Sequence, residues 1–534
     1  MASLTTLLVA GLVAAYVIRL IRRYYALSHF KGPWLAGFSR LYQARVDSSG
    51  DMHIHYNRLG EKYGNTNLTL AIGSTARIGP NHLLTRDPVL IKRMSAANST
   101  YTRSSWYNGL RLHPKLDNVV SLRDEALHSK FRKSLAPGYS GKDTTSLEKS
   151  VDDCLVQLVE FLKTHYVSSD KKYVKADLAR ITTFFTLDVI STVAFGKQFG
   201  FMETNADPFG YIEHIQEAFP FMHILMLYPE INNILRIPFI QRLLPDATSK
   251  SGMGRAMAFA QQVVSERFGS SPVVRKDMLG SFVSKGFSKT QLESETLIQI
   301  TVGSDSTASG IRMTLYNIAT NPSVLGKLRR ELDAAVAAGR LARPVLSDAQ
   351  ARRLPYLQSC VREGLRVFPP IVAQLAKQAP PAGDVLPDGR FVPAGTHVGW
   401  NSWGLMHDTA IFGPDADVFR PERWLDEPDD AKLARMLDVQ SLVFGYGRFG
   451  CLGRPLASLE LEKTLAELVL RFDWHVVRPD VQPECLCFGF FLHNAMHFRI
   501  TEREMPALGA EAQMDHGNEE QRDFGIQAQW DDLQ

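Results

Sequence analysis

The stretch FGYGRFGCLGRP, residues 444–455, surrounds one thiol, Cys451, with Gly445, Gly447, Gly450 and Gly453. Directly after it Leu461, Leu465, Leu468 and Phe472 recur on one face of a helical pattern. Cys451 therefore stands just before a helix N-terminus, where unpaired N–H groups and the helix dipole favour negative charge. That placement predicts a lowered thiol pKa and a thiolate. The glycines let the backbone approach something flat and large, with amides aimed at the sulfur. A thiolate so held can attack an electrophile or ligate a metal. No histidine lies near Cys451 in sequence, which disfavours a cysteine hydrolase, although a distant histidine leaves that reading open.

A second constellation lies in a long helical pattern. Ser288 and Gln291 have capping-box spacing at its start, and Asn321-Pro322 ends it. At ~1.5 Å per residue such a helix is roughly 50 Å long and must cross the whole domain. Its centre, VGSDSTASG (302–310), is built of poor helix formers and carries a carboxylate. Burying Asp305 is unfavourable without a partner. Asp305, Ser306 and Thr307 thus read either as proton-transfer groups or as a polar kink in a packed helix. Three further patterns follow. EGLR places Glu363 and Arg366 one turn apart before Pro369-Pro370, a pairing that alone means little, and FRPERW (419–424) adds Arg423. HSKFRK sets His128 and Arg132 four apart on one face, with Lys130 and Lys133 alongside, so a solvated basic face is the other reading. Lys377 follows PPIVAQLA.

Taken in this order and spacing, the motifs resemble those of the cytochrome P-450 monooxygenases, over roughly residues 30 to 504. The heme loop of that family, F-x-x-G-x-R-x-C-x-G, is matched by Phe444, Gly447, Cys451 and Gly453. One position departs: the arginine before the cysteine is replaced by Phe449, and the resemblance leaves its contact with a heme propionate to the adjacent Arg448 or another base. The resemblance implies that Cys451 is the axial ligand of heme b, donating electron density that favours O–O cleavage. It implies that Asp305 and Ser306 activate oxygen, with Thr307 sharing or replacing the hydroxyl's role, and that Glu363, Arg366 and Arg423 form a structural ion-pair triad. His128, Arg132 and Lys377 become partners of the propionates. Residues 371–374 and Phe490-Phe491 align with substrate-contact segments, or equally with core packing.

The implied fold is mainly α, a cytochrome P-450 fold with a small β-sheet region, preceded by an N-terminal transmembrane helix. The implied reaction inserts one oxygen atom of O2 into an apolar small molecule by hydroxylation, epoxidation or oxidative dealkylation. No G-x-G-x-x-G follows a strand pattern, so electrons are expected from NADPH through a separate NADPH-cytochrome P-450 reductase, with cytochrome b5 as a further donor. The loop and the ending FGFFLHNAMHFRITER look most like fungal pisatin demethylases and benzoate hydroxylases, which implies secondary metabolism or detoxification. Two rivals stand beside this reading. A heme-thiolate isomerase or peroxide-rearranging enzyme needs no proton relay, and retention of Asp305 and Ser306 argues against it. A noncatalytic membrane heme-binding sensor would consume no NADPH.

The elements that must position these groups are legible more coarsely. The 534 residues are 45% apolar and 22% charged with a net charge of +4, the balance of a large globular body with nothing that points to nucleic acid. Residues 148–196, 210–270 and 288–336 read as mostly helical, and 383–400 as a small hairpin sheet. Cys154 and Cys360 read as core thiols, and Cys485 and Cys487 as strand residues more than as a metal pair. Residues 1–18 carry no charge and Arg19, Arg22 and Arg23 follow, which predicts an uncleaved anchor over 1–23 with the body in the cytosol. The expected plan is an anchor, a hinge over 24–36, a heme domain over 37–504 and an acidic, disordered tail over 505–534. The location is then the endoplasmic reticulum membrane, with one pass and a cytosolic catalytic domain, so that the sequons at Asn67 and Asn98 stay unmodified.

Overall fold

The computed structural model describes residues 4–63, 75–113, 116–208, 210–235, 237–241, 248 and 252–504. Asn67 and the acidic segment 505–534 lie outside the described residues.

The pattern that ends at Asn321-Pro322 forms one helix of 31 residues, Lys289–Ala319. Ser288 closes its start with the expected capping box, Gln291 Oε1 accepting the Ser288 N–H at 3.0 Å. The run of poor helix formers does not interrupt it. Ser304, Ser306 and Thr307 donate their hydroxyls to carbonyls four residues back at 2.8, 3.0 and 3.4 Å, so the helix continues through them.

Four helices pack closely around this one: Leu178–Phe195, Gly252–Ser265, Pro355–Val367 and Arg454–Arg471. Leu178–Phe195 is long and apolar enough to cross a membrane, yet it is 89% buried within the domain and is a core helix. Arg454–Arg471 is not amphipathic as expected; from Leu459 to Leu470 it is buried on every side, with Lys463 held by Glu148 at 2.7 Å and Asp152 at 2.5 Å. The helical reading of 148–196 is interrupted by the strand Lys175–Asp177, whose Asp177 caps the next helix. Cys154 and Cys360 are buried, and Cys485 and Cys487 lie on a strand. Among the described residues no three metal-binding side chains gather.

The described strands form four separate sheets. A five-stranded sheet runs in the order Thr75–Gly79, His82–Thr85, His397–Trp400, Lys377–Gln378, Thr102–Arg103, with one parallel pair at its centre. Within 383–400 a hairpin forms between Asp384–Val385 and Phe391–Val392, while His397–Trp400 leaves it to join the larger sheet. A three-stranded sheet and the hairpin Glu484–Cys487/Phe491–Asn494 complete the body.

The first helix, Leu4–Ala26, runs past the expected boundary at residue 23 and presents Leu8, Leu12 and Ile18 outward. Its end is not a free hinge. The buried Arg77 guanidinium donates to the carbonyls of Arg23 and Tyr24 at 3.2 and 3.0 Å, and to those of Gly37, Gly79 and Pro80. Helix-end carbonyls lack intrahelical partners and carry partial negative charge, so one arginine satisfies both needs and ties the helix to the sheet.

Candidate active site

Gly445 and Gly447 adopt φ of +77° and +55°, and a Cβ on Gly447 would collide with the Ser95 carbonyl. The turn they make brings the Cys451 N–H to the Phe444 carbonyl at 2.7 Å, closing the loop. The helix begins at Arg454, with Pro455 in its first turn. Cys451 is accessible although protein surrounds it on all sides, so its sulfur lines an internal space. The expected influences are present: the N–H groups of Gly453 and Arg454 and the charge of Arg132 all favour the thiolate. Burial outweighs them and pushes the thiol pKa up, opposite to the sequence expectation. A cation on the sulfur would reverse this, because a coordinating thiol gives up its proton.

Beside the loop stands a cluster of cations. Arg103 faces Lys377 directly across an antiparallel strand pair, and both are buried. Phe449, in the position where the loop pattern has arginine, lies 3.8 Å from the Lys377 ammonium and 4.7 Å from the Arg103 guanidinium. Lys377 donates to the Tyr107 hydroxyl. Burial, Arg103 and Arg448 all press its pKa well down. Arg132 is held below its ordinary pKa by burial, against the pull of Cys451.

Two expectations change here. Arg448, expected with other bases to cover for the missing arginine, commits its Nη2 to the carbonyls of Ser99 and Tyr101, while its Nε, without a hydrogen bond, lies 4.0 Å from Glu125. His128 is not a cation. Burial, Arg103 and Arg132 lower its pKa to about 3, and Arg103 donates to its Nε2 at 2.7 Å. A guanidinium cannot accept, so the His128 proton sits on Nδ1, which is buried, makes no hydrogen bond and lies 4.0 Å from Glu125 Oε2. His128 therefore offers a hydrogen bond and no charge. Arg103, whose Nε is also unpartnered, was not foreseen, since it lies in a two-residue strand outside every motif.

Facing positions of like charge repel, and Arg103, Lys377 and Arg448 share the carboxylate of Glu125. Such a cluster fits a bound group with two carboxylates, and the Cys451 sulfur fits the iron of that group. The residues present match heme.

The Glu363 carboxylate is fully buried and fully satisfied. It accepts Arg366 at 2.8 and 2.9 Å, Arg423 at 3.3 Å and the Trp424 indole at 3.0 Å. The triad knits residues 363–424 into one block and makes no contact with the cysteine loop in these bonds.

On the long helix, Gly303 is exposed and Asp305 and Ser306 are half-buried, whereas Thr307 to Gly310 are buried. Ser306 thus shares the open face and Thr307 does not. Asp305 points about 100° away from Ser306. Burial raises its carboxyl pKa to about 6 against the pull of Arg312. Phe490 stacks on Phe219, ring centroids 5.5 Å apart, and Ala373 and Val372 are buried beside it.

A family model described as cytochrome P-450 matches residues 32–497. The chain is 38% identical to cytochrome P-450 monooxygenase ABA1 of Pyricularia oryzae over 92% of its own length and 95% of that protein's. It is 36% identical to cytochrome P-450 monooxygenase aba1 of Botryotinia fuckeliana, over 88% and 91%, and 31% identical to cytochrome P-450 monooxygenase pkfB of Emericella nidulans, over 95% and 97%. A crystal structure of a cytochrome P-450 (CYP102L1) superposes with a TM-score of 0.65 at 20% identity, covering 84% of this chain and 94% of that one, which is a likeness of fold. The chain belongs to the cytochrome P-450 family. It is a heme-thiolate monooxygenase of that family with its mainly helical fold, and the isomerase and sensor readings find no support.

Proposed function

We propose that the protein oxygenates an apolar small molecule of fungal secondary metabolism, at heme b held by the Cys451 sulfur. The observation that carries this reading is the Cys451 sulfur lining an internal space beside a cluster of buried cations that outnumbers its carboxylate. Heme, when bound there, supplies the activation of O2. Arg103, Arg132 and Lys377 provide charge for its carboxylates, His128 provides its Nδ1–H, and Arg448 adds its charge beside them. Phe444 and the glycines shape the loop against the ring. Asp305 carries protons toward the reacting oxygen, and Ser306 on the open helix face holds the water or hydroxyl that receives them; Thr307 supports that face from behind. The Phe219–Phe490 stack and the neighbouring Val372 and Ala373 favour an apolar ligand.

Electrons reach this chain from NADPH through a separate NADPH-cytochrome P-450 reductase, with cytochrome b5 as a further donor, because no glycine-rich dinucleotide turn follows a strand among the described residues. The membrane reading rests on the outward apolar face of Leu4–Ala26 and on exposed Trp34, Phe38 and Leu41 near exposed Phe221, Ile234 and Phe239. Arg40 joins these segments, 2.9 Å from Glu230 and 4.7 Å over the Tyr228 ring. With the arginines after the apolar run, this favours an endoplasmic reticulum anchor and a cytosolic catalytic body.

A screen of apolar fungal metabolites by shift of the heme Soret band identifies ligands. Incubation with NADPH, reductase and isotopically labelled O2 then tests the reaction. One labelled atom in the product is expected; a rearranged product formed without NADPH overturns the proposal.

A further inference from the structure

Behind the face that carries Ser306, a small cavity opens between the long helix, the Leu178–Phe195 helix and the strand Phe491–Asn494. Thr183, Tyr211, Asp305, Arg312, Phe491 and His493 line it, and its volume of about 20 Å³ admits a water molecule. Three buried polar atoms of these residues have no partner in the protein: Asp305 Oδ2 and both ring nitrogens of His493. Each bare atom costs ~1–3 kcal/mol. A histidine with neither nitrogen satisfied is rare in a folded interior unless water is its partner.

Arg312 is fixed in the same space. It lies two helical turns beyond Asp305, donates Nε to the Ala308 carbonyl at 3.0 Å and Nη2 to the Thr183 hydroxyl at 2.8 Å, and attracts the Asp305 carboxylate. Burial and Arg312 hold His493 well below the ordinary imidazole pKa, so it is neutral, with one nitrogen donating and the other accepting. The remaining charged or titratable groups that bear on the cavity are Tyr211, whose hydroxyl donates to the Ile300 carbonyl at 3.3 Å, and Asp177 and Cys485, which both act on Arg312.

We propose that this cavity holds an ordered water that delivers protons to Asp305, with His493 as the exchanging base behind the water and Arg312 as the positioning residue for the carboxylate. The inference deepens the monooxygenase reading, in which each turnover takes up two protons and two electrons with O2 to leave one oxygen in product and one in water. The Asp305 carboxylate takes a proton from the cavity water, the water takes the N–H proton of His493, and the other ring nitrogen takes one from outside. The net transfer is one proton from bulk solvent to Asp305, with water and imidazole left neutral and the imidazole in its other tautomer.

The test uses the heme-loaded resting protein, so it does not depend on turnover or on a known substrate. Infrared difference spectra follow the protonated Asp305 carboxyl, assigned with Asp305→Asn, through a pH titration and through exchange from H2O into D2O. In the wild type the carboxyl is expected to titrate near 6 and to exchange within mixing. His493→Phe should slow that exchange at least about tenfold, short of the ~10²-fold or more attached to a positioned general acid, while the midpoint stays within about half a unit. His493→Gln, which can bond the water but cannot pass a proton through itself, should slow exchange equally, and it serves if the phenylalanine variant does not fold. Arg312→Lys should keep the midpoint and Arg312→Met should raise it. Unchanged exchange in both His493 variants overturns the proposal. So does unchanged exchange accompanied by altered Soret-detected ligand affinity, which assigns the cavity to substrate binding.

Discussion

Arg103 and Lys377 stand directly opposite each other in an antiparallel strand pair, both buried, with the Phe449 ring against both cations. Two like charges in facing positions are unfavourable in the protein alone. The phenyl ring occupies the place of a further arginine, and its π-face eases the repulsion that a charged side chain there would increase.

Lys377→Met separates a binding role from a structural one by sign. The heme-free variant should be as stable as wild type or more so, by up to ~2 kcal/mol, since a buried charge is replaced by an apolar side chain of similar volume. The heme-loaded variant should lose its heme severalfold faster. Urea unfolding of the heme-free protein and transfer of heme to an acceptor globin measure the two. A loss of stability in the heme-free form with unchanged heme transfer refutes the role.

Cys451→Ala should abolish the thiolate-type Soret band of the reduced carbon monoxide complex while leaving the fold intact by circular dichroism. Persistence of that band in the variant sinks the assignment.

Asp305 links stability to pH. Its carboxyl titrates near 6 in the folded chain against 3.8 ordinarily, so the folded state holds this proton more tightly than the unfolded one. The stabilisation from protonation is fully present below about 3.8 and is lost as pH rises through 6. Asp305→Asn, which mimics the neutral acid, should therefore be more stable than wild type above pH 6, by up to ~3 kcal/mol, and equal to it near pH 4. Turnover should fall, and a loss of about 10²-fold would equal ~2.7 kcal/mol of barrier. Thermal melts across this range check the first claim; equal differences at both ends contradict it.

Ser306 and Thr307 compete for the same role, and their burial distinguishes them. Ser306→Ala should divert several times more NADPH into peroxide, while Thr307→Ala, on the packed face, should do so weakly. Product, peroxide and NADPH must be measured together. Full coupling in Ser306→Ala with uncoupling in Thr307→Ala transfers the role to Thr307.

Arg77→Met should leave five carbonyl groups without their donor and cost ~2 kcal/mol or more. Amides near residues 20–37 should exchange with deuterium faster, while Lys289–Ala319 is unchanged. On sealed microsomes protease should remove the wild-type body from outside. A protected body, or glycan on Asn98, would reverse the proposed topology.

Local pattern alone carried the cysteine loop, the long helix with its Ser288 cap, the paired Glu363 and Arg366, and the strand placement of Cys485 and Cys487. These are set by glycine conformation, periodicity and capping, which act over a few residues and so show in a single sequence. The resemblance of several such motifs in order identified the family. What the tertiary structure decided involves partners far apart in the chain. Arg103 belongs to the cation cluster because a strand of two residues pairs it with Lys377; His128 is neutral because Arg103 and burial make it so; Arg448 is diverted because the carbonyls of Ser99 and Tyr101 lie within its reach. The Cys451 pKa moved against expectation for the same reason, since helix-end donors are local and desolvation is a property of everything packed around the sulfur. Charge state, and with it the role of each polar group, is fixed by neighbours that only folding assembles.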